Sequence, residues 1–293
     1  MGSKKGTHMT NGFIGLGNMG APMAINLAAA GHPVIGLDVS ANVPDALEPA
    51  SSLADLAGQA DTIITMLPNG AIMYEVIASA LPHAQPGTLF LDCSTVDVAS
   101  AREAADDIHT AGHMALDAPV SGGMAGAAAG TLTFMTGGSE SAFTRAKPLL
   151  DVMGAKTFHC GGNGAGQAAK ICNNMILGIS MIATCEAFAL ADGLELDRQA
   201  LFDVVSASSG QSWSMTTYCS APGVGPQTPA DNNYQPGFAA DLMLKDLTLS
   251  QQAAEQSGTR TELGKHARAL YQAFMENGGA GRDFSAMLEQ IKR

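Results

Sequence analysis

One charged side chain, that of Lys170, stands among glycine, small and apolar residues throughout the stretch from Gly161 to Cys185. Burying an unpaired ammonium is costly, so a lysine in such surroundings usually has a shifted pKa or a dedicated partner. Asn174 follows four residues later, so a helix would present both side chains on one face. The pair predicts an amine and an amide that point into one pocket. These residues alone leave open a structural lysine that coats a core helix with its methylene stem.

A glycine-rich turn lies between a short apolar run that ends at Ile14 and a helical stretch with Pro22 in its opening turn. In such a turn the first glycine permits a tight bend, the second lets the backbone approach a pyrophosphate, and the third lets helix and strand pack closely. The start of the helix supplies N–H groups for phosphate oxygens. The predicted cofactor contacts in this turn are Gly15, Leu16, Gly17, Asn18, Met19 and Gly20.

Asp38 ends the second predicted strand, eighteen residues after Gly20. A carboxylate there accepts hydrogen bonds from the adenosine ribose hydroxyls of a dinucleotide and repels a 2′-phosphate. Because strand, glycines, helix, second strand and acid occur in this order, the sequence predicts NAD as the cofactor, in preference to NADP.

Two further strand ends carry residues suited to a cofactor, because ligands of doubly wound sheets bind at the carboxyl ends of the strands. The first is Met66-Leu67-Pro68, where the proline forces the chain out of the sheet. The second includes Thr95, whose hydroxyl is a predicted contact of the nicotinamide ribose. Helix capping by Ser94 or Thr95 is the alternative interpretation of the second strand end.

The loop Ser121-Gly122-Gly123 follows a predicted strand that ends at Asp117, and it lacks Cβ atoms at two successive positions. Successive exposed N–H groups of this kind can hold a carboxylate. A flexible hairpin connection is the alternative, but it does not account for the stiffening effect of Pro119. We therefore predict that the loop binds an anionic group of the substrate.

Up to about Cys160, short apolar runs alternate with helical stretches, a pattern typical of a mainly parallel, doubly wound α/β sheet. The predicted strands are Phe13–Gly15, Val34–Leu37, Thr62–Met66, Thr88–Asp92, Met114–Asp117, Thr131–Met135 and Lys156–His159. The strand pattern then stops, and the later predicted helices are Gln167–Asp192, Arg198–Ala207, Ala239–Gln256 and Glu262–Glu276. The predicted organisation is an expression-tag remnant at residues 1–8, a cofactor-binding α/β domain at 9–162 and an all-helical domain at 163–293. A cleft between the two domains is the predicted ligand site.

A long segment between the second and third of these later helices is rich in Gly, Pro and Ser and contains the only tryptophan, Trp213, together with Tyr218. Loops of such length usually carry a function or are disordered, and the aromatic side chains favour order. Trp213 suits the wall of a pocket, although a subunit contact would use the same side chains. On the third helix, the spacing of Asp241 and Lys245 predicts a surface ion pair, with Asp246 beside it.

Composition excludes several classes of protein. The formal charge of -12 and the pI near 4.8 give no basic surface for nucleic acid. The five cysteines form no CxxC pair, so they indicate neither a disulfide framework nor a zinc site, and they fit a reducing, cytoplasmic location. The most apolar helical run, Met175–Ala183, has only nine residues, so we expect no membrane span.

Taken together, the segments GFIGLGNMG, MLP, DCST, DAPVSGG, GAGQAAKICNN and LKDL resemble the β-hydroxyacid dehydrogenase family over essentially the whole chain from Thr10. The segments SSGQSWS, TYC, DNNY and LMLKDL are most similar to the members that oxidise 3-hydroxyisobutyrate in valine breakdown. The resemblance implies a Rossmann-type NAD-binding domain and an all-α domain used in a homodimer or homotetramer. It also implies reversible hydride exchange between NAD and a small 3-hydroxy acid, without a metal.

The resemblance implies a role for each matching residue. Lys170 is the implied catalytic residue, Asn174 orients the substrate, and the loop at residues 121–123 holds its carboxylate. Lys245 is implied to contact both substrate and cofactor. The other implied cofactor contacts are Met66, Leu67, Pro68 and Thr95. The other implied substrate contacts are Trp213, Tyr218 and Asp246. For Lys170 to act as a base near neutral pH, its pKa must fall below ~10.4, and apolar surroundings and the ammonium of Lys245 both act in that direction.

Other members of the family remain alternatives, among them enzymes that act on serine, tartronate semialdehyde, glyoxylate or succinic semialdehyde. Many semialdehyde reductases prefer NADP, which Asp38 disfavours. The 6-phosphogluconate enzymes are larger and need a phosphate site that we do not find in the sequence, and imine reductases lack the lysine. A non-catalytic NAD-binding scaffold is an alternative of another class, but it would have no use for Lys170 and Asn174.

Overall fold

The computed structural model describes residues 9–292, and the predicted tag remnant at residues 1–8 lies outside them. Packing divides the chain into two units, one that ends at Lys170 and one that begins at Ile171. The division falls within one long helix, and the predicted domain boundary after residue 162 stays a prediction. Each unit has hydrophobic core of its own.

In the first unit, the described residues form one nine-stranded sheet. Its strands are β1 (Asn11–Ile14), β2 (Val34–Leu37), β3 (Glu48–Pro49), β4 (Thr62–Thr65), β5 (Leu89–Asp92), β6 (Met114–Asp117), β7 (Val120–Ser121), β8 (Leu132–Gly138) and β9 (Gly154–Gly161). Their order is β3-β2-β1-β4-β5-β6-β8-β7, and β9 pairs with β8. The ladders from β3 to β6 are parallel, whereas β8 runs antiparallel to β6 and β7.

The parallel strands β1, β4, β5 and β6 are neighbours, so their carboxyl ends lie along one edge of the sheet. The register pairs Thr65 of β4 with Asp92 of β5, and Asp92 with Asp117 of β6. The loops that follow these three residues therefore start side by side. This is the edge at which ligands bind in doubly wound folds.

Helices cover the sheet of the first unit. In the described part they are α1 (Gly20–Ala29), α2 (Leu53–Gln59), α3 (Gly70–Ala80), α4 (Val98–Thr110), α5 (Gly123–Ala129) and α6 (Glu140–Met153). Successive side chains of a strand point to opposite faces, so Phe13 and Ile14 of β1 belong to different core clusters. Phe13 packs in the cluster that contains Leu27 of α1, and Ile14 in the cluster that contains Leu56 of α2. The predicted α/β domain with a mainly parallel sheet is confirmed.

The second unit is helical, as predicted. Its described helices are α7 (Ala165–Gly193), which begins in the first unit, α8 (Arg198–Ser206), α9 (Trp213–Thr216), α10 (Ala240–Ser257), α11 (Glu262–Phe274) and α12 (Met287–Ile291). The core of the unit contains Phe188, Tyr271 and Phe284, all fully buried. Gly178 permits close packing of α10 on α7, because a Cβ at this position would lie only 3.0 Å from the sulfur of Met243.

The predicted elements lie within three residues of the observed ones, and the differences concern short elements. The two-residue strands β3 and β7 and the short helices α9 and α12 were not predicted. The segment between α8 and α10 was predicted to be a loop, but it contains α9 and a 3-10 turn at Pro229–Asn232. Side chains of Ser212 and Thr228 cap these two elements. Such elements are too short to show a hydrophobic period, so capping residues are the signal that reveals them.

Helix α7 is longer and more apolar than the sequence analysis expected. By length and mean hydropathy alone it could cross a membrane, so the nine-residue run Met175–Ala183 understates the apolar length of this helix. The helix continues through Gly178 and Ser180, because packing rather than intrinsic propensity stabilises it. One such helix is weak evidence for a span, since a core helix passes the same test, and 44% of its apolar window is buried within the protein.

Candidate functional site

The glycine-rich turn between β1 and α1 has no room for side chains at two of its three glycines. A Cβ at Gly15 would lie 2.3 Å from the backbone oxygen of Met66, and a Cβ at Gly20 would lie 1.9 Å from the oxygen of Gly15. Gly15 also has a φ of +93°, in the left-handed region that favours glycine. Gly17, in contrast, is exposed, and a Cβ there would meet nothing within 4 Å. This backbone is open to a ligand at Gly17, as the pyrophosphate of a dinucleotide requires.

Asp38 follows β2 and reaches the same turn. Its Oδ2 accepts a hydrogen bond from the N–H of Leu16 at 2.6 Å, and its Oδ1 accepts from the N–H groups of Ser40 and Ala41, both at 2.7 Å. Burial acts to raise the pKa of Asp38, but the three backbone donors together hold it below its ordinary value. The side chain is therefore an anion at neutral pH beside the glycine-rich turn.

One buried carboxyl group, that of Asp92 at the end of β5, joins the loops after β4 and β5. Its Oδ1 accepts from the hydroxyl of Thr65 at 2.7 Å and from the hydroxyl and N–H of Ser94 at 2.5 and 3.1 Å. The hydroxyl oxygen of Ser94 in turn accepts from the N–H of Leu67 at 2.8 Å. Leu67 and Thr95, two predicted cofactor contacts, therefore lie on loops that are hydrogen-bonded to each other, and both are half-buried.

Asp92 holds a proton more strongly than an ordinary aspartic acid. Burial raises its pKa to about 6, against the lowering effect of the bonds from Ser94 and Thr65, and the negative charge of Asp117 adds to the rise. Its second oxygen, Oδ2, is buried and has no hydrogen-bond partner among the described residues. The carboxyl group is therefore protonated over a wider pH range in the folded protein than in the unfolded chain.

A second buried carboxylate, that of Asp117 at the end of β6, binds the start of α7. Its Oδ1 accepts from the N–H of Gly164 at 2.7 Å, and its Oδ2 accepts from the N–H of Gln167 at 3.0 Å. An anion at the amino end of a helix is favoured by the helix dipole. Burial raises the pKa of Asp117, and the N–H groups of Gly164 and Gln167 act against that rise.

The side chain of Gln167 attaches the same helical turn to the loop after β5. Its Nε2 donates to the backbone oxygen of Ser94 at 2.8 Å, and its Oε1 accepts from the N–H of Val96 at 3.1 Å. The first turn of α7 is thus held at the ends of two neighbouring strands. Lys170 stands three residues later on this helix, in a position that these contacts determine.

Lys170 and Asn174 lie one turn apart on the same face of α7 and are both buried, with exposed fractions of 6% and 2%. Asn174 donates from Nδ2 to Oδ2 of Asp246 at 2.5 Å, and its Oδ1 accepts from Nδ2 of Asn173 at 2.9 Å. Asp246 is buried on α10, and its neighbour Lys245 is half-buried. The structure therefore brings two predicted site residues, Asn174 and Asp246, into direct contact.

The loop Ser121-Gly122-Gly123 has left-handed backbone at both glycines. The φ angles are +134° at Gly122 and +60° at Gly123, values that side chains disfavour. Gly122 is exposed, and the other two residues are half-buried. The loop therefore presents backbone rather than bulky side chains at the sheet edge, and its predicted contact with a substrate carboxylate stays a prediction.

Trp213 and Tyr218 form a stacked pair in the second unit. Their ring centroids lie 4.9 Å apart, and the indole of Trp213 is 48% exposed. The hydroxyl of Tyr218 donates to Oδ2 of Asp283 at 2.8 Å, so it points into the protein. Trp213 is therefore the member of the pair that is more open to a ligand.

Comparison with known proteins identifies the family. Residues 10–162 match the model of the NAD-binding domain of 6-phosphogluconate dehydrogenase. Residues 164–291 match the model described as the NAD-binding domain of NADP-dependent 3-hydroxyisobutyrate dehydrogenase. A relative from Mycobacterium tuberculosis, named probable 3-hydroxyisobutyrate dehydrogenase, is 45% identical over 291 residues, which cover 97% of this chain and 98% of the relative. The chain belongs to the β-hydroxyacid dehydrogenase family.

Two further relatives of this β-hydroxyacid dehydrogenase bear on its activity. An NAD-dependent L-serine dehydrogenase from Pseudomonas aeruginosa is 44% identical over 283 residues, which cover 94% of this chain and 95% of the relative. A solved structure of 3-hydroxyisobutyrate dehydrogenase from Mycobacterium tuberculosis with L-serine is 44% identical, covers 98% of this chain and 100% of its own, and superposes with a TM-score of 0.94.

The predicted family, enzyme class and cofactor are confirmed: this β-hydroxyacid dehydrogenase is an NAD-dependent oxidoreductase. The open backbone at Gly17 and the anion at Asp38 fit the pyrophosphate and the ribose of that cofactor. Within residues 9–292 no group of three or more His, Cys, Asp or Glu side chains is placed to hold a metal ion.

Sequence reasoning missed four buried polar residues that hold predicted site residues of this β-hydroxyacid dehydrogenase, or the elements that carry them, in place. They are Asp92, Asp117, Gln167 and Asp283. The first two end their strands, and an acid that ends an apolar strand is a signal that could have revealed them. Gln167 precedes Lys170 by one helical turn, so it was visible as a polar residue on a nearly apolar helix. The sequence around Asp283 contains no comparable signal.

Substitution of the glycines will separate cofactor binding from folding. Gly17→Ala introduces a methyl group into open space, so we expect an unchanged free energy of unfolding, or a rise of about 0.4 to 1 kcal/mol, together with a loss of NAD affinity. Gly20→Ala places its Cβ against the oxygen of Gly15, so we expect a loss of about 1 to 3 kcal/mol in stability. Urea unfolding and calorimetric NAD titration of both variants measure the two effects. Full NAD affinity in Gly17→Ala would contradict the assignment of this turn.

Asp92→Asn will change the pH dependence of stability. In the wild type, the unfolded carboxyl loses its proton near pH 3.8 and the folded one near pH 6, so this group's contribution to stability is complete below pH 3.8 and is lost as pH rises through 6. The asparagine does not titrate. Urea unfolding from about pH 4 to about pH 7 should therefore show the variant gaining about 3 kcal/mol relative to the wild type. A difference that is the same at every pH would mean that Asp92 titrates normally.

Proposed function

We propose that this enzyme oxidises 3-hydroxyisobutyrate to methylmalonate semialdehyde, as in valine breakdown, with NAD as hydride acceptor. The observation that carries the proposal is the buried lysine, Lys170, one turn from the buried amide of Asn174 on a helix whose first turn is attached to the sheet edge. An amine and an amide in that arrangement suit a substrate hydroxyl. The name of the Mycobacterium tuberculosis relative, at 45% identity over 97% of this chain, supports the substrate.

Lys170 is the proposed catalytic residue. When bound, NAD would supply the acceptor for the hydride that leaves the carbinol carbon of the substrate. Lys170, in its neutral form, accepts the hydroxyl proton at Nζ as the carbonyl forms, or stabilises the developing alkoxide by a hydrogen bond. Asn174, held by its bonds with Asp246 and Asn173, orients the substrate. The same groups return the proton in the reverse direction.

The remaining contacts follow from the backbone. The N–H groups of the loop at residues 121–123 hold the substrate carboxylate, and the positive φ angles of both glycines support this assignment. Trp213, Tyr218, Lys245 and Asp246 remain proposed substrate contacts. The proposed cofactor contacts are the glycine-rich turn at residues 15–20, Asp38, the loop at residues 66–68, Thr95 and Lys245. The ionised Asp38 favours NAD over NADP because it repels a 2′-phosphate.

Oxidation of L-serine is a second candidate. Serine is itself a 3-hydroxy acid, so the same proton and hydride transfers apply to it. The 44% identical L-serine dehydrogenase from Pseudomonas aeruginosa supports this candidate. The two substrates differ at the carbon that carries an ammonium in serine and a methyl group in 3-hydroxyisobutyrate, so the polarity of the pocket around that carbon decides between them.

A coenzyme-reduction assay will test the function. NADH absorbance is followed with 3-hydroxyisobutyrate, L-serine and other 3-hydroxy acids, and we expect the highest kcat/KM with 3-hydroxyisobutyrate. Lys170→Met removes the ammonium and keeps the volume, so kcat should fall by about 10² to 10⁴, the contribution of a positioned acid or base. Lys156→Ala, which changes an exposed lysine of the same unit, is the control. A Lys170→Met variant with unchanged NAD affinity and more than about a tenth of wild-type kcat would exclude the assignment, and no turnover with any acid would favour a scaffold.

We also propose that two or four copies of the chain associate through the second unit, in the cytoplasm. An apolar stripe on α7, formed by Ile176, Ala183 and Leu190, is exposed, and it continues to Leu194 in the turn after the helix, with exposed fractions of 64% at Ile176 and 69% at Leu194. Exposed apolar stripes of this kind usually mark interaction surfaces. We propose that α7 of a second copy of the chain packs on this stripe. The free thiols of all five cysteines fit the proposed location in the reducing cytoplasm.

Leu190→Glu will test the association. A carboxylate in the middle of an apolar interface is costly to bury, so we expect the variant to have a smaller mass than the wild type in solution. Light scattering coupled to size exclusion measures the mass. Leu263→Glu, an equivalent substitution at an exposed leucine of α11, is the control. A monomeric wild type, or equal masses for all three proteins, would contradict the proposed interface.

A further inference from the structure

Asp283 is a fully buried carboxylate of the second unit that accepts five hydrogen bonds. Its Oδ2 accepts from the hydroxyl of Tyr218 at 2.8 Å and from the N–H groups of Gly237 and Phe238, both at 3.0 Å. Its Oδ1 accepts from the N–H and the hydroxyl of Ser285 at 3.0 and 2.6 Å. A buried charge with this many donors is fully compensated, and removing one donor is costly because the charge remains.

The three donors to Oδ2 come from both ends of the segment that carries Trp213. Tyr218 lies near the beginning of the segment, Gly237 and Phe238 lie at its end, and α10 begins two residues after Phe238. Backbone hydrogen bonds support the same junction, since the N–H of Asp283 donates to the oxygen of Tyr234 and the N–H of Phe284 donates to the oxygen of Phe238. The carboxylate of Asp283 therefore joins the beginning of the segment, at Tyr218, to its end, at Gly237 and Phe238, just before α10 begins.

An aromatic row connects Asp283 to Trp213. The ring of Tyr218 lies between the indole of Trp213, at 4.9 Å, and the ring of Phe284, at 5.3 Å. A Cβ at Gly237 would lie 2.5 Å from the hydroxyl of Tyr218, so only glycine permits the close approach of that hydroxyl to the chain. The position of the half-exposed indole thus depends on where Asp283 holds the tyrosine.

We infer that Asp283 is a positioning residue that sets the place of Trp213 and thereby the affinity of the site for its 3-hydroxy acid. The inference rests on the proposed function in one respect, that Trp213 contacts the substrate. Asp283 itself is buried and acts through Tyr218. Its loss should therefore change substrate affinity more than the rate of the chemical step, which depends on Lys170.

Tyr218→Phe tests this inference, because it keeps the stacked ring and removes only the hydroxyl that Asp283 holds. We expect KM for the 3-hydroxy acid to rise about tenfold or more, with kcat and KM for NAD within about twofold of the wild type. Trp213 is the only tryptophan, so acrylamide quenching of its fluorescence should also increase. Asp283→Asn should have larger effects in the same direction, and if this variant fails to fold, Tyr218→Phe still decides the question.

Tyr74→Phe is the matched control. The hydroxyl of Tyr74 donates to Oδ2 of Asp107 at 2.6 Å in the first unit, so the variant loses the same kind of bond away from the segment that carries Trp213. We expect its quenching and its kinetic constants to equal those of the wild type. Equal quenching and equal KM in Tyr218→Phe and Tyr74→Phe would overturn the inference. If the wild type oxidises no 3-hydroxy acid, the proposed function fails, and the quenching comparison still shows whether Asp283 positions Trp213.

Discussion

The position of Lys170 depends on the hydrogen bonds that the carboxylate of Asp117 accepts at the start of α7. The side chain of Asp117 places a buried anion, 5% exposed, against the N–H groups of Gly164 and Gln167. The approach is so close that a Cβ at Gly137 would lie 2.7 Å from its Oδ1, and one at Gly166 would lie 2.8 Å from its Oδ2. Strand β6, β8 and the first turn of α7 are therefore packed without room for adjustment. A helix held in this way cannot slide or turn, so Lys170 has a defined place relative to the sheet.

The cost of burying this charge explains the polar groups around it. A buried carboxylate is tolerated only when its oxygens are hydrogen-bonded, and the donors of α7 provide those bonds. The neighbouring carboxyl group of Asp92 differs, because only one of its oxygens accepts hydrogen bonds. Burial raises the pKa of Asp92 to about 6. Two carboxyl groups in register on adjacent strands cannot both ionise without repulsion. Asp117 binds the N–H groups at the start of α7, and Asp92, which holds its proton to a higher pH than an ordinary aspartic acid, organises the loops at Ser94 and Leu67.

The sequence predicted two kinds of structure in this molecule. They are the regular strands and helices, which have a periodic pattern of apolar residues, and the turns whose backbone conformation requires glycine. The alternation of apolar runs and helices predicted the sheet, and the glycines at 15, 17 and 20 with Asp38 predicted a dinucleotide site because few other structures require that order. The isolated charge of Lys170 predicted a buried amine, and the lysine is 6% exposed. Asp283 could not be predicted in the same way. Three of its five hydrogen bonds come from Tyr218, Gly237 and Phe238, which lie at least 45 residues away in the chain, and the other two come from Ser285, as in an ordinary helix cap.

The proposed function assigns chemistry and substrate selectivity to different kinds of structure in this fold. The residues around Lys170 belong to strand ends and a helix start, where a small shift would break several buried hydrogen bonds at once. The segment around Trp213 has little regular structure, and the contacts next to Trp213 itself are the ring of Tyr218 and, through the hydroxyl of that tyrosine, the carboxylate of Asp283. Under the proposed function, substitutions in that segment would change substrate affinity and would leave the hydrogen bonds at the start of α7 undisturbed.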